Sequence, residues 1–174
     1  MLPDYIEALR TGWSPNNLRP EAAREELADI AKDPAAFLRT REDIGGQAAP
    51  VVLPDGSTVP RLPSLKRWIW KDGFCGGIGL RWQPGTDDLP PTCLGHVGYA
   101  VVPWRRREGL ATAALVEIRA LARQVGLQRL DITADGENLA SIGVITKAGG
   151  RYVKDFVAPK ALGGHMGRLY RIDL

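Results

Sequence analysis

Apolar positions in the first forty residues recur at helical spacing. Tyr5, Ile6 and Leu9 share one face, and Ala23, Leu27, Ile30 and Ala31 follow three or four apart after Pro20, a residue tolerated in a first helical turn. Asp33 before Pro34 predicts a cap and a restarted helix carrying Phe37 and Leu38. The period is lost over 43–63, "DIGGQAAPVVLPDGSTVPRLP". Its prolines and glycines predict a long loop, with a short strand at Val51 to Leu53 and a turn at Pro54-Asp55-Gly56.

From Leu65 the pattern becomes that of strands. "LKRWIW" and "FCGGIGLRW" flank Lys71-Asp72-Gly73, which predicts an antiparallel hairpin. "QPGTDDLPPT" reads as a loop, and "LGHVGYAVV" as a third strand ended by Pro103, which has no amide to give a ladder. Leu110, Ala114, Ile118, Leu121 and Val125 form one stripe, predicting a helix from Gly109 to Val125 stopped by Gly126. A strand "RLDITA" and a helix over Asn138 to Ala148 follow, with Leu139, Ile142 and Ile145 facing inward and Gly149-Gly150 as terminator. "RYVKDFV" and "GRLYRIDL" close the chain as strands. The order α, α, β, β, β, α, β, α, β, β predicts one α/β (α+β) domain over 1–174. It divides into a helical part (1–42), a loop (43–63) and a sheet core (64–174).

Composition narrows the function classes. A chain of 174 residues, 44% hydrophobic and 25% charged, has room for one ordinary core. A net charge of only +3, from scattered Lys and Arg, argues against a dedicated nucleic-acid binder and leans toward an anionic ligand. Cys75, Cys93, His96 and His165 make neither a disulfide framework nor a metal cluster, so no metal is expected. The start has no signal-peptide pattern and no apolar run is long enough to span a bilayer. The expectation is a cytoplasmic protein without membrane contact.

The chemistry concentrates in "VVPWRRREGLATAAL", residues 101–115. Arg105, Arg106 and Arg107 there could be a solvated turn, a nucleic-acid contact with Trp104, or the rim of an anion site. Gly109 and Ala111 let a ligand approach the main chain, and the first amides of the predicted helix lack intrahelical partners at its positive end. That combination suits a diphosphate. Neither Gly-x-Gly-x-x-Gly nor Gly-Lys-Ser/Thr occurs at this turn.

Residues 95–150, "GHVGYAVVPWRRREGLATAALVEIRALARQVGLQRLDITADGENLASIGVITKAGG", resemble the GNAT superfamily of acyl-CoA N-acetyltransferases. The resemblance rests on a strand ending in Val-x-Pro, Arg-x-x-Gly-x-Ala on a helix, and a later helix with Asn-Leu-Ala-Ser and Lys-Ala-Gly-Gly. "LPDGSTVP" and "GHVGY" are similar to a subgroup of predicted acetyltransferases. The resemblance implies a mixed, mostly antiparallel sheet flanked by helices, with splayed strands admitting acetyl-CoA and with Gly95 and Gly98 as places where a strand could deform. It implies that amides of Arg107, Glu108, Gly109, Leu110, Ala111 and Thr112 hold the pyrophosphate, with Arg106 as the motif arginine. It further implies that Val101 and Val102 pair with the pantetheine arm, and that Asn138 and Ser141 contact it.

Transfer to an amine needs a proton acceptor and a proton donor. His96 is the candidate base, with Asp135 or Glu137 acting through water as another route. Many family members place a tyrosine seven residues after the asparagine; here that position is Ile145, leaving Ser141, Tyr99 and Tyr152 as candidate donors. Plainer roles stand beside these: an N-cap for Asn138, a hydrogen-bonded core residue for His96, and core or cleft wall for Trp68, Trp70 and Trp82. The implied reaction is direct acetyl transfer to a primary amine of a small molecule or peptide, and the chain could pair with a second copy. A non-catalytic acyl-CoA sensor is the alternative, with a nucleic-acid module behind it. Glu42, Asp43, Asp55, Asp87 and Asp88 are acidic loop positions that could draw a cationic acceptor.

Overall fold

The computed structural model describes residues 1–16 and 19–174. Three helices come first: α1 (Leu2–Arg10), α2 (Ala22–Lys32) and α3 (Pro34–Arg39). Asp33 caps α3 as its sequence predicts, accepting the Ala36 amide at 2.9 Å. The 43–63 segment is less bare than its composition suggests. It carries a minimal hairpin of β2 (Val51–Val52) and β3 (Thr58–Val59), preceded by β1 (Glu42–Asp43), which pairs with β4 (Ser64–Trp70). Two-residue strands leave no periodicity to read.

The core elements are β4 (Ser64–Trp70), β5 (Phe74–Arg81), β6 (Val97–Val101), α4 (Leu110–Gln124), β7 (Arg129–Asp135), α5 (Leu139–Lys147), β8 (Arg151–Val157) and β9 (Met166–Asp173). They form two main antiparallel sheets, ordered β1-β4-β5-β6 and β7-β9-β8. The sheet is therefore divided between β6 and β7, successive strands joined through α4.

One joint closes the base of this division. The His96 amide donates to the Asp131 carbonyl at 2.7 Å, and the Asp131 amide donates back to His96 Nδ1 at 2.9 Å. Gly95 fits closely there: a Cβ on it would lie 3.2 Å from both Asp131 O and Thr133 N of β7, so a larger residue would push the strands apart by a few tenths of an ångström. β6 keeps an unbroken register with β5 from Val97 to Val101, so the strands part without a bulge in β6.

Each face has its own core. Leu115, Ile118 and Ala122 of α4 and Ile145 of α5 pack on Ile78, Leu80, Val97, Leu130 and Ile132. On the opposite face Tyr5, Leu9, Trp13 and Phe37 pack on Phe74, Ala100 and Val102, with Tyr5 against Phe74 and Trp68 at ring separations of 5.1 and 5.0 Å. Trp82 is buried and Trp68 half-buried, as a core or wall role requires. Trp70 instead stands 40% exposed, on the far end of β4.

Candidate active site

The turn from β6 into α4 is built from two left-handed residues. Arg107 has φ +70° and Gly109 has φ +76°, and Gly109 is the N-cap of α4. A non-glycine residue in that region costs about 1–2 kcal/mol, so Arg107 marks a loop shaped against local preference. The result is six consecutive amides, 107–112, from which no acceptor among the described residues takes a proton. A Cβ on Gly109 would meet nothing within 4 Å, so the space beside these amides is open. Bare amides at a helix's positive end suit a diphosphate in charge and in geometry.

The arginines brace this loop. Arg105 gives Nε and Nη2 to Glu108 at 2.8 and 3.1 Å and Nη1 to the Lys71 carbonyl at 2.9 Å, clasping the turn to the β4–β5 hairpin. The Glu108 carboxyl is held below its ordinary range chiefly by its bond to Arg105. Arg106 Nε donates to Val101 O at 3.3 Å, tying the turn to the end of β6, while Arg107 is exposed.

The alternation of β6 decides which groups face the division. Val102 donates its amide to Cys75 O at 2.9 Å, so the even-numbered positions from Gly98 to Val102 bond toward β5. Val97, Tyr99 and Val101 turn their main chain toward β7. Of the expected pair Val101 and Val102, only Val101 turns its main chain toward the division; its carbonyl is taken by Arg106, and its amide is the group it offers there. Val102 is fully buried, and Tyr99, for which the sequence suggests no main-chain role, turns its main chain the same way as Val101. A count of two residues back from Val101 would have found it.

On the far side stands the start of α5. Asn138 Oδ1 accepts the Ser141 amide at 3.0 Å, so Asn138 is the N-cap, and its exposed side chain keeps an amide NH₂ for another partner. The Tyr99 hydroxyl reaches across from β6 to Ser141, 2.8 Å from its Oγ and 3.2 Å from its carbonyl. Burial raises the Tyr99 pKa, so this phenol stays protonated at neutral pH. Ile145, at the position of the missing tyrosine, is fully buried in the core. Tyr152 lies elsewhere, 57% exposed on β8.

His96 is 1% exposed. Since Nδ1 accepts an amide proton, the neutral ring carries its own proton on Nε2, and no lone pair is left for a base. Burial lowers its pKa, which keeps it neutral. The imidazole that the sequence offers as a base is instead the pin of the sheet joint. The acidic loop positions are likewise occupied. Glu42 pairs with Arg67, Asp43 caps Gln47 and Ala48, Asp55 holds Ser57, and Asp87 and Asp88 pair with Arg129. Among the described residues no His/Cys/Asp/Glu group could hold a metal ion, and no helix is long and apolar enough to cross a membrane.

A family model described as an acetyltransferase (GNAT) domain matches residues 7–151. Among solved structures, RimJ of Mycobacterium smegmatis in complex with a coenzyme A disulfide superposes with a TM-score of 0.61 at 19% identity, over 99% of this chain and 78% of that one. RimL, a ribosomal L7/L12 alpha-N-protein acetyltransferase in complex with coenzyme A, gives 0.60 at 12% identity over 99% and 88%. MccE, a microcin C7 self-immunity acetyltransferase in complex with acetyl-CoA and AMP, gives 0.55 at 11% identity over 99% and 82%. No match is found among curated protein sequences. At these identities the structural likeness establishes the fold.

Proposed function

Because the chain belongs to the GNAT acetyltransferase family, we propose that it moves an acetyl group from acetyl-CoA to a primary amine by direct transfer, with both substrates bound together. The observation that carries this reading is the run of unpartnered amides at 107–112 beside a divided sheet. Acetyl-CoA supplies the activated acetyl group. The amides hold its diphosphate, the Val101 amide at the edge of β6 donates to its arm, and the Asn138 NH₂ donates to that arm from the other side. An edge amide of β6 aimed at the acetyl carbonyl stabilises the charge that develops there.

The proton for the departing thiol comes from Ser141. Its hydroxyl is held by Tyr99, whose raised pKa keeps a proton behind it. His96 acts on geometry alone, by fixing where β6 and β7 part. The acceptor delivers its amine neutral and loses its proton to water, and water returns a proton to the Ser141–Tyr99 pair.

Thiol release over a panel of primary amines tests the reading. Turnover on at least one amine is expected, with kcat lowered about tenfold or more by Ser141→Ala and less by Tyr99→Phe. Coenzyme binding without turnover on any amine would make the chain an acyl-CoA sensor, the role its Ile145 leaves open.

A further inference from the structure

The sheet face that α1–α3 cover is left bare over part of β4, β5 and β6. The register lines up Lys66, Gly79 and Gly98 in one row across the three strands, and Trp68, Gly77 and Ala100 in the next. Gly98 is exposed although its strand is paired, because its row holds glycine where side chains would otherwise cover the sheet.

Two cations lie over this floor. A Cβ on Gly98 would sit 3.2 Å from Arg81 Nη2, and one on Gly79 would sit 3.9 Å from Lys66 Cγ. Arg81 is anchored by Nε to Gly95 O at 2.8 Å, which holds its guanidinium along the row. Both side chains are exposed, and among the described residues neither has a carboxylate within ion-pair distance. Arg41 and Arg61 lie near Lys66 as well. Arg41 faces Glu26 at 3.8 Å, and that carboxylate also accepts the Tyr5 hydroxyl; Arg61 Nε donates to Ala49 O at 2.7 Å. The Lys66 pKa is lowered by the packing around it and by these guanidiniums, against the pull of Glu26. An anion placed here would relieve that crowding.

The floor adjoins the reaction edge. Gly98 precedes Tyr99, whose main chain faces the division between β6 and β7, and the row from Gly98 to Lys66 spans two strand spacings, roughly 10 Å. Both cations therefore lie within a small molecule's length of the transfer point. The five acidic loop positions Glu42, Asp43, Asp55, Asp87 and Asp88 are engaged in ion pairs and turns.

We infer that this glycine-floored row is the anion subsite of the acceptor, and that the acceptor is a primary amine carrying a carboxylate or phosphate a few bonds from its nitrogen. The inference rests on the acetyltransferase reading above. Arg81 offers paired N–H donors and Lys66 a point charge, a combination suited to either oxyanion.

Matched acceptors test it: O-phosphoethanolamine against ethanolamine, and the amidated peptide Ser-Asp-Asp against Ser-Asn-Asn and Ser-Lys-Lys. Each is assayed for thiol release from acetyl-CoA and, by calorimetry, for binding to the coenzyme A complex. The anionic member of one set is expected to bind and react at least about tenfold better than its neutral partner, and which set responds identifies a small phosphoamine or an acidic chain end. Lys66→Met and Arg81→Gln should each remove most of that preference. The double variant Lys66→Glu/Arg81→Glu should turn it toward Ser-Lys-Lys, with coenzyme A affinity within twofold of wild type. Equal or better binding and turnover of neutral or cationic members by the wild type, or no binding of any anionic member, overturns the subsite and leaves the acetyltransferase reading standing. Failure of the wild type to bind coenzyme A would sink that reading, and the subsite with it.

Discussion

His96 shows how one side chain sets the shape of a cleft. Its Nδ1 satisfies the Asp131 amide at the point where β6 and β7 part, and burial lowers its pKa, with Asp131, Arg129 and Asp87 as the charged groups around it. The sign follows. The unfolded ring binds protons near pH 6.5 and the folded ring only at lower pH, so its contribution is complete above about 6.5 and is lost as pH falls toward the folded value. His96→Leu leaves the amide unpaired and should cost about 1–3 kcal/mol at pH 8. His96→Asn, whose oxygen can replace Nδ1, should recover much of that loss and flatten the decline below pH 6.5. Thermal melts of the three proteins check this. A wild-type curve parallel to that of His96→Asn across that decline would show that the ring does not titrate with folding. The sequence puts His96 inside a strand and offers it as a base or as a hydrogen-bonded core residue; β6 begins one residue later, at Val97, and the contacts of the ring are those of the core role. What uses up its lone pair is a residue 35 positions away, and no local pattern reports that contact.

At the scale of elements, the two helix starts that face the cleft were legible for different reasons. Proline at 103, glycine at 109 and the apolar stripe after it are local signals, and α4 begins one residue from where they put it. The Asn138 cap was equally readable, since asparagine before a helical run has a local physical cause. The left-handed Arg107 and the bracing of Arg105 by Glu108 and Lys71 were not, because an arginine run gives no hint of which member folds back. Asn138 has two duties that substitution can separate. Asn138→Ser keeps a capping oxygen and should hold stability within about 0.5 kcal/mol. It removes the NH₂ and should weaken acetyl-CoA binding severalfold, whereas Asn138→Ala should lose about 1 kcal/mol of stability as well. Melting and calorimetric titration of both variants read the two duties apart. Unchanged affinity in both would reduce Asn138 to a cap.

The whole molecule is two half-sheets joined at the His96–Asp131 pair, with helices on both faces and a basic, glycine-floored row beside the opening. Element order and strand content gave the architecture, because hydrophobic periodicity is a property of each segment. The division of the sheet is implied by family resemblance but by no single segment, since register and strand parting depend on contacts between distant segments. The same holds for the floor formed by Gly79 and Gly98, which belong to different strands and meet only through the register. All of it serves one claim, that bare amides at the start of α4 grip the diphosphate of acetyl-CoA. Calorimetric titration of acetyl-CoA into wild type, Gly109→Ala and Gly109→Glu tests this most directly. The alanine variant carries the backbone strain of φ +76° without charge and should stay within about tenfold of wild type, since that strain is about 1 kcal/mol. The glutamate variant sets a carboxylate beside the cradle and should bind at least a further tenfold more weakly. Equal affinity in wild type and Gly109→Glu would contradict the account.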